Sequence, residues 1–394
     1  MSEHVYKLIL VSHAVTAELV DVQPFRIAVG EETLDDLRRR LKLTRWTDEV
    51  AGAGWDYGTS LDYLKELCAY WLEEFDWRAQ EAKLNAFEHF VGRIGEQRIH
   101  FVLARSAHGD ALPLIATHGW PSTFFEMLKL VPRLTEGSSG EATFNLVIPS
   151  MPGYGFSSRP TERYFSANVP ELWRALMEGL GYPRFYAHGG DIGGGITARL
   201  GQRHADAVLG IHVTNVYGSI DKDDPPPSDA ERRYLEQEET WLQEEWAYGD
   251  IQGHRPQTLS YGLNDSPAGL AAWIVEKYRA WSDCGGDVES AFSKDELLTN
   301  ITLYWVTQTI GSSFRPYWDN NHNPQPFPWV PITVPTAVAV FPGDLAQPPR
   351  EFAERSYNVQ QWTEMPRGGH FAALEQPDLL AADIRQFFGE LAGH

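Results

Sequence analysis

The run RFYAHGGDIGGGITARL sets one carboxylate, Asp191, between Gly189-Gly190 and Ile192-Gly193. An apolar stretch, Phe185 to His188, precedes it, and a helical pattern follows without a break. The carboxylate is therefore expected on a sharp strand-to-helix turn, where only small neighbours avoid a clash. Taken alone, the run suits a phosphate loop or a helix cap equally well. Two later segments shift that balance. Asp344 follows the apolar TAVAVF in FPGDLAQPP, and His370 lies in MPRGGHFAALEQP just ahead of the last helical pattern. Nucleophile, acid and histidine in that chain order fit an enzyme that forms a covalent intermediate and releases it with water. A carboxylate attacking an ester or amide gives a mixed anhydride, whereas attack on a saturated carbon bearing a leaving group gives a stable alkyl ester. The expected chemistry is displacement at such a carbon by Asp191, then ester hydrolysis by water that His370 deprotonates while Asp344 orients it.

The ester step needs an oxyanion hole. One N–H comes from the residue after the nucleophile, Ile192, and the second from the loop after an early strand, where THGWPSTFF places Trp120. His118 in that loop is expected to orient it rather than to move protons. An epoxide and a haloalkane both suit the first step, and opening an epoxide also requires a proton donor for the alkoxide. A phenol with an ordinary pKa of about 10 keeps its proton at neutral pH and serves. Tyr234, Tyr248, Tyr261, Tyr278, Tyr304 and Tyr317 are candidates, and periodicity does not choose among them. Trp120, Phe156, Trp305 and Phe371 lie near these motifs and are expected to line an apolar substrate pocket. No cofactor and no metal is called for. The competing functions are a haloalkane-type dehalogenase of the same fold and a non-catalytic binding protein. The first frequently has Trp beside the nucleophile, where Ile192 stands here; the second is expected to have lost a catalytic group. There is no GxSxG, and SDCGG around Cys284 has no strand before it, which argues against a Ser or Cys esterase.

A parallel sheet is needed to position these groups. The stretch from Pro24 to Tyr70 reads as helical, with Leu34, Leu37 and Leu41 at helical spacing over Glu32 to Leu43, Thr33 as cap, and a second helix over Leu61 to Phe75. Alternation from His89 to Ser106 around Gly95-Glu96 predicts a hairpin. Apolar runs Leu112 to Thr117, Phe144 to Pro149, Phe185 to His188 and Val208 to Val213 then alternate with helical patterns, as in a sheet covered on both faces. That alternation stops between about 216 and 330, where helical stretches rich in Glu, Trp and Tyr read as a cap. It resumes with a strand over Thr336 to Phe341, a helix near Pro349 to Tyr357, a strand ending at Met365 and a helix over Asp378 to Leu391. The expected class is α/β, an α/β-hydrolase fold with a mostly parallel central sheet, helices on both faces, an inserted helical cap and an N-terminal extension. The expected divisions are a helical extension wrapping the core (1–88), a first core part (89–215), the cap (216–330) and a second core part (331–394).

Composition narrows the partners. With 54 acidic against 33 basic residues the formal net charge is -21, which repels phosphate backbones and anionic headgroups, so neither nucleic acid nor a membrane surface is an expected partner. Cys68 and Cys284 cannot form a disulfide framework. The apolar stretch Leu8 to Val20 is interrupted by Ser12, His13, Thr16 and Glu18 and falls short of the ~20 residues a spanning helix needs. A cytoplasmic protein is expected, with a homodimer as one candidate assembly and either detoxification or biosynthesis as its role.

Beyond the catalytic triad, PFRIAV, LDDLRRRL, GWDYG, FDWRAQEAKLN, HGWP, MPGYGFSSRP and GGDIGG occur in order. RPQTLSYGLNDSPAGLAAWIVEKYRAW, LLTNITLYWVTQTIGSSFRPYW and RGGHFAALEQPDLL follow in the second half. On these motifs the chain resembles the microsomal-type epoxide hydrolases, including their N-terminal extension, over nearly its whole length. The resemblance implies an apolar epoxide and water as substrates, Asp191 as nucleophile, Asp344 as acid partner and His370 as base. It also selects Tyr248 and Tyr317 from the six tyrosines as the pair that assists ring opening. Ile192 stands where many relatives carry Trp, Asp344 where some carry Glu, and Ala247 where Gly is usual before the tyrosine. The hydrophobic N-terminal anchor of the family is not expected here.

Overall fold

The computed structural model describes residues 18–138, 140–163, 165–218, 220, 224–323 and 330–393. The greater part of the apolar stretch Leu8 to Val20 therefore lies outside the described residues.

Nine strands form one sheet: β1 (Leu19–Phe25), β2 (His89–Ile94), β3 (Gln97–Ala104), β4 (Leu112–Thr117), β5 (Phe144–Pro149), β6 (Phe185–Gly189), β7 (Val208–Val213), β8 (Ile332–Val340) and β9 (Tyr357–Glu364). Their order is β1-β2-β3-β5-β4-β6-β7-β8-β9. The pairs from β1 to β5 are antiparallel, and every pair from β5 to β9 is parallel. All five residues of β6 are buried, as a strand covered on both faces requires.

The helices are α1 (Glu31–Lys42), α2 (Leu61–Glu73), α3 (Trp77–Leu84), α4 (Leu130–Thr135), α5 (Val169–Gly179) and α6 (Asp191–Arg203) in the first half. Between β7 and β8 come α7 (Asp229–Glu244), α8 (Ala247–His254), α9 (Pro256–Asp265), α10 (Pro267–Trp281), α11 (Lys294–Thr307), α12 (Ile310–Ser313) and α13 (Arg315–His322), which form the cap. Then follow α14 (Arg350–Glu354), α15 (Ala372–Glu375) and α16 (Pro377–Ala392).

Two local expectations are corrected. The stretch beginning at Pro24 is not helical from its start: Pro24 and Phe25 close β1, an edge strand paired with β2. Proline is tolerated there because its missing N–H faces away from the ladder, and the strand is further disguised by an irregular register between Val20 and Gln23. Thr33 does not cap α1. Gly30 occupies the cap position, and Glu31 and Glu32 in the first turn complement the positive helix end instead.

The cap is tied to the core through its first helix. Ser228 and Glu231 form a capping box on α7, and the Glu231 carboxylate accepts from Arg355 Nε at 2.5 Å and Nη2 at 2.8 Å. The guanidinium fork holds Glu231 well below its ordinary value, at about 2, so the pair stays charged throughout the neutral range.

Candidate active site

Register explains why residues distant in sequence meet. Thr117 on β4, Gly189 on β6, Val213 on β7 and Val338 on β8 lie opposite one another across the sheet. Two residues beyond the first three are Gly119, Asp191 and Asn215, so the loops leaving neighbouring strands converge at their carboxyl ends. His370 arrives from the loop after β9, and Asp344 from the loop after β8.

Asp191 opens α6 with φ 50, a left-handed conformation rare for a residue with a side chain. Its neighbours have no room for a Cβ. One on Gly193 would lie 2.1 Å from the Thr117 carbonyl oxygen, and one on Gly119 would lie 2.4 Å from the Asp191 Cβ. The small residues therefore exist to let three backbone segments and one carboxylate share a corner.

The Asp191 side chain is 17% exposed, unlike those of His370 at 3% and Asp344 at 0%. Its Oδ1 accepts the Trp120 backbone N–H at 2.8 Å, and its Oδ2 lies 3.5 Å from His370 Nε2. His370 Nδ1 lies 2.7 Å from Asp344 Oδ1. A carboxylate only accepts, so Nδ1 carries the proton and Nε2 faces Asp191. Ile192 lies in the first turn of α6, where backbone N–H groups have no intrahelical acceptor.

Asn215 was not singled out from sequence, yet it binds both carboxylate segments. Its Oδ1 accepts the Asp191 N–H at 2.7 Å, and its Nδ2 donates to Asp344 Oδ2 at 3.1 Å. Gln347 donates to the same Oδ2 at 2.8 Å, and the Leu345 N–H to Oδ1 at 2.7 Å. Asp344 is thus buried with four donors, which offsets the cost of holding its charge out of water. Its position as a polar residue at the carboxyl end of a central strand is the signal that could have found Asn215.

Burial pulls the His370 pKa down, but Asp344 and Asp191 more than reverse this and hold it well above the ordinary value. Esterification would neutralise Asp191 and remove one of these two anions. Substituting Asp191 with asparagine is therefore expected to lower the His370 pKa, measured by NMR titration of the imidazole; an unchanged or higher value would show that Asp191 does not hold the imidazole pKa up. His118 behaves differently. Burial pushes it down to about 4, and its neutral ring accepts the Met151 N–H at 3.3 Å, consistent with orienting the loop.

The six tyrosines separate by environment. Tyr261 is 70% exposed. The hydroxyls of Tyr234, Tyr278 and Tyr304 are engaged by Glu238, Ser122 and the Ser122 carbonyl, respectively. Tyr248 and Tyr317 pack against each other with ring centroids 6.0 Å apart, and both contact Trp120, Tyr248 by stacking at 5.2 Å and Tyr317 edge-on at 5.9 Å. Burial and, less strongly, the Asp191 charge push the Tyr248 pKa well above 10; for Tyr317 burial leads, with Tyr248 and Asp191 adding to it. Both phenols stay protonated at neutral pH and are available as donors.

Phe371 packs edge-on against His370, the ring centroids 5.2 Å apart. Phe156 and Trp305 are not brought to the carboxylate. Phe156 packs among Phe25, His100 and Phe124, and Trp305 lies beneath the Arg40 guanidinium at 5.8 Å. Nearness to a motif in sequence misled in both cases, because the turn after β5 that carries Phe156 and the helix α11 that carries Trp305 direct these rings to other neighbours. A cavity of about 500 Å³ is lined instead by Ile192, Met151, Tyr154, Tyr217 and Pro316, among others. Among the described residues no cluster of three His, Cys, Asp or Glu side chains is arranged to hold a metal ion, and no helix is long and apolar enough to cross a membrane.

The chain is similar to known proteins over nearly its whole length. Residues 22–127 match the family described as epoxide hydrolase N terminus, and residues 113–268 match the alpha/beta hydrolase fold. Epoxide hydrolase 1 of Sus scrofa is 35% identical over 425 aligned positions covering 96% of this chain and 91% of the pig protein. Juvenile hormone epoxide hydrolase 2 of Ctenocephalides felis is 36% identical, with 92% of this chain and 84% of the flea protein covered. The solved structure of Aspergillus niger epoxide hydrolase superposes with a TM-score of 0.85 at 30% identity, covering 95% of this chain and 97% of that one.

Proposed function

The chain belongs to the epoxide hydrolase family and is an epoxide hydrolase, and from that premise we propose how its residues divide the reaction. Asp191 Oδ2 attacks a ring carbon of an apolar epoxide, the carbon–oxygen bond breaks, and the freed electron pair takes a proton from Tyr248 or Tyr317. His370, held by Asp344, then takes a proton from water, and the hydroxide adds to the ester carbonyl. The Trp120 and Ile192 N–H groups hold the resulting oxyanion. Collapse releases the diol and restores the carboxylate; the two water protons end on the diol oxygen and on the phenolate.

One observation carries this reading: the two Asp191 oxygens are already distinguished, Oδ1 by the Trp120 N–H at 2.8 Å and Oδ2 by its position facing His370. Oδ1 is thereby assigned as the future carbonyl oxygen and Oδ2 as the attacking atom. The cavity beside Ile192 is of a size suited to an apolar epoxide, since small-molecule sites span roughly 300 to 1,000 Å³. The buried, unpaired Cys68 and Cys284 suit the reducing compartment we assign, the cytoplasm. A dehalogenase reading is weaker, because Ile192 offers no indole N–H to a halide and paired phenols have no task in it.

Phenylalanine at Tyr248 or at Tyr317 is expected to slow formation of the alkyl-enzyme by ~10²-fold each, within the range for loss of a general acid. Hydrolysis of an ester already formed should change little. Stopped-flow tryptophan fluorescence with a styrene-type epoxide reads both steps, Trp120 and Trp281 being packed against Tyr248. Wild-type alkylation rates in both single variants would remove the phenols from the mechanism.

A further inference from the structure

We propose that Glu375, together with Asp283 of the cap, is the positioning residue that sets the reach of His370, building on the assignment of His370 as the base. The loop that carries the histidine meets the sheet side only through a single bridge, Gly343 with Gly369, so most of its backbone donors must find partners elsewhere. Four consecutive N–H groups find them in one place. Gly368 donates to Asp283 Oδ2 at 2.9 Å, Gly369 to Glu375 Oε2 at 3.0 Å, His370 to the Trp281 carbonyl at 2.8 Å, and Phe371 to Glu375 Oε1 at 2.9 Å. The Asp283 N–H closes the circuit by donating to Glu375 Oε2 at 2.9 Å.

Glu375 therefore grips the residues on either side of the base with different oxygens, and also reaches across to the end of cap helix α10. Packing follows the same line. The Trp281 ring meets His370 edge-on at 5.2 Å, and Tyr278 stacks on Phe371 at 4.1 Å. The approach is close by design: a Cβ on Gly369 would lie 2.7 Å from the Trp281 carbonyl oxygen and from the Asp283 nitrogen. Glu375 binds backbone N–H groups rather than Asp191 or the His370 ring, so its effect must pass through the placement of the imidazole. The imidazole acts as base only in the second chemical step. Loosening the grip is therefore expected to slow ester hydrolysis while sparing ester formation.

Glu375→Gln tests this. The amide retains one accepting oxygen, but its NH₂ faces a backbone donor, so one side of the grip is lost at nearly constant volume. Single-turnover kinetics on the full chain should show hydrolysis of the alkyl-enzyme slowed by ~10²-fold, the scale of a misplacement of about 1 Å. Alkylation should stay within about threefold, and the ester should become visible by intact mass. Asp283→Ala removes only the Gly368 partner and should shift the same ratio in the same direction by a smaller factor. Equal slowing of both steps in Glu375→Gln, or no slowing of hydrolysis in it, would overturn the proposal. A wild-type enzyme that forms no ester at all would instead overturn the reading of Asp191, and the two failures are distinguished in one experiment.

Discussion

Alanine at Asp191 is expected to abolish diol formation, by about 10⁴-fold or more on the scale seen when a covalent nucleophile is removed, while leaving the protein folded. The loss is large because Asp344, the other carboxylate beside His370, cannot take over. Asp344 is buried and occupied by four donors, and its Oδ1 lies on the far side of the imidazole from the nucleophile. The fold should survive because the carboxylate makes one hydrogen bond to the backbone, from Trp120, and stabilises a corner that the glycines already permit. Alanine at φ 50 is less well tolerated than aspartate, at a cost of order 1 kcal/mol. In a chain of this length that corresponds to a melting-temperature change of about 1 °C. Diol formation by chromatography and a thermal melt by circular dichroism check the two halves together. Turnover at the wild-type rate in a folded Asp191→Ala protein would refute covalent catalysis by this residue.

Removing the base should have the opposite signature, an intermediate that persists. In His370→Ala, the Asp191 carboxylate is still held by the Trp120 N–H and the Tyr248–Tyr317 pair still offers protons, so the ester forms. Its hydrolysis then lacks a positioned base, worth typically 10²- to 10⁴-fold. After an epoxide is added, intact-mass measurement should show nearly the whole population heavier by one substrate mass, and peptide mapping should place the adduct on Asp191. A protein that stays unmodified under these conditions, with turnover equally slow, would mean that His370 is needed for the first step.

Both outcomes depend on residues that were readable because their chemistry imposes local sequence. A nucleophile on a sharp turn demands small neighbours, and Gly189, Gly190 and Gly193 announce the turn. The strand boundaries of the parallel core were legible for a similar reason: a strand buried on both faces must be a short apolar run, as in β4 to β7. The edge strand β1 escaped because an edge tolerates Pro24 and an irregular register, which together erase the alternation. Asn215 and Glu375 escaped for another reason. Each acts on groups far away in sequence, Asn215 on Asp344 and Glu375 on Asp283, and only the order of strands and the fold-back of the cap bring them together. Phe156 and Trp305 show the reverse error, in which closeness along the chain was mistaken for closeness in space.

The tyrosines stand between these cases. Helical periodicity gave six equivalent phenols; the environment separates them, since three have hydroxyls engaged and one is exposed. What is left, Tyr248 and Tyr317 around Trp120, is the pair that the family resemblance implies. The N–H of Trp120 holds the Asp191 carboxylate while its ring contacts both phenols, so one residue registers Asp191 against the two tyrosines.

The most direct test follows the oxygen. With enzyme in excess over epoxide in ¹⁸O-labelled water, the diol from the first turnover should carry no label, because its new oxygen comes from the Asp191 carboxylate, and one ¹⁸O should appear in the peptide that contains Asp191. Labelled diol in the first turnover, with an unlabelled Asp191 peptide, would mean that water attacks the epoxide directly and would contradict the ester mechanism.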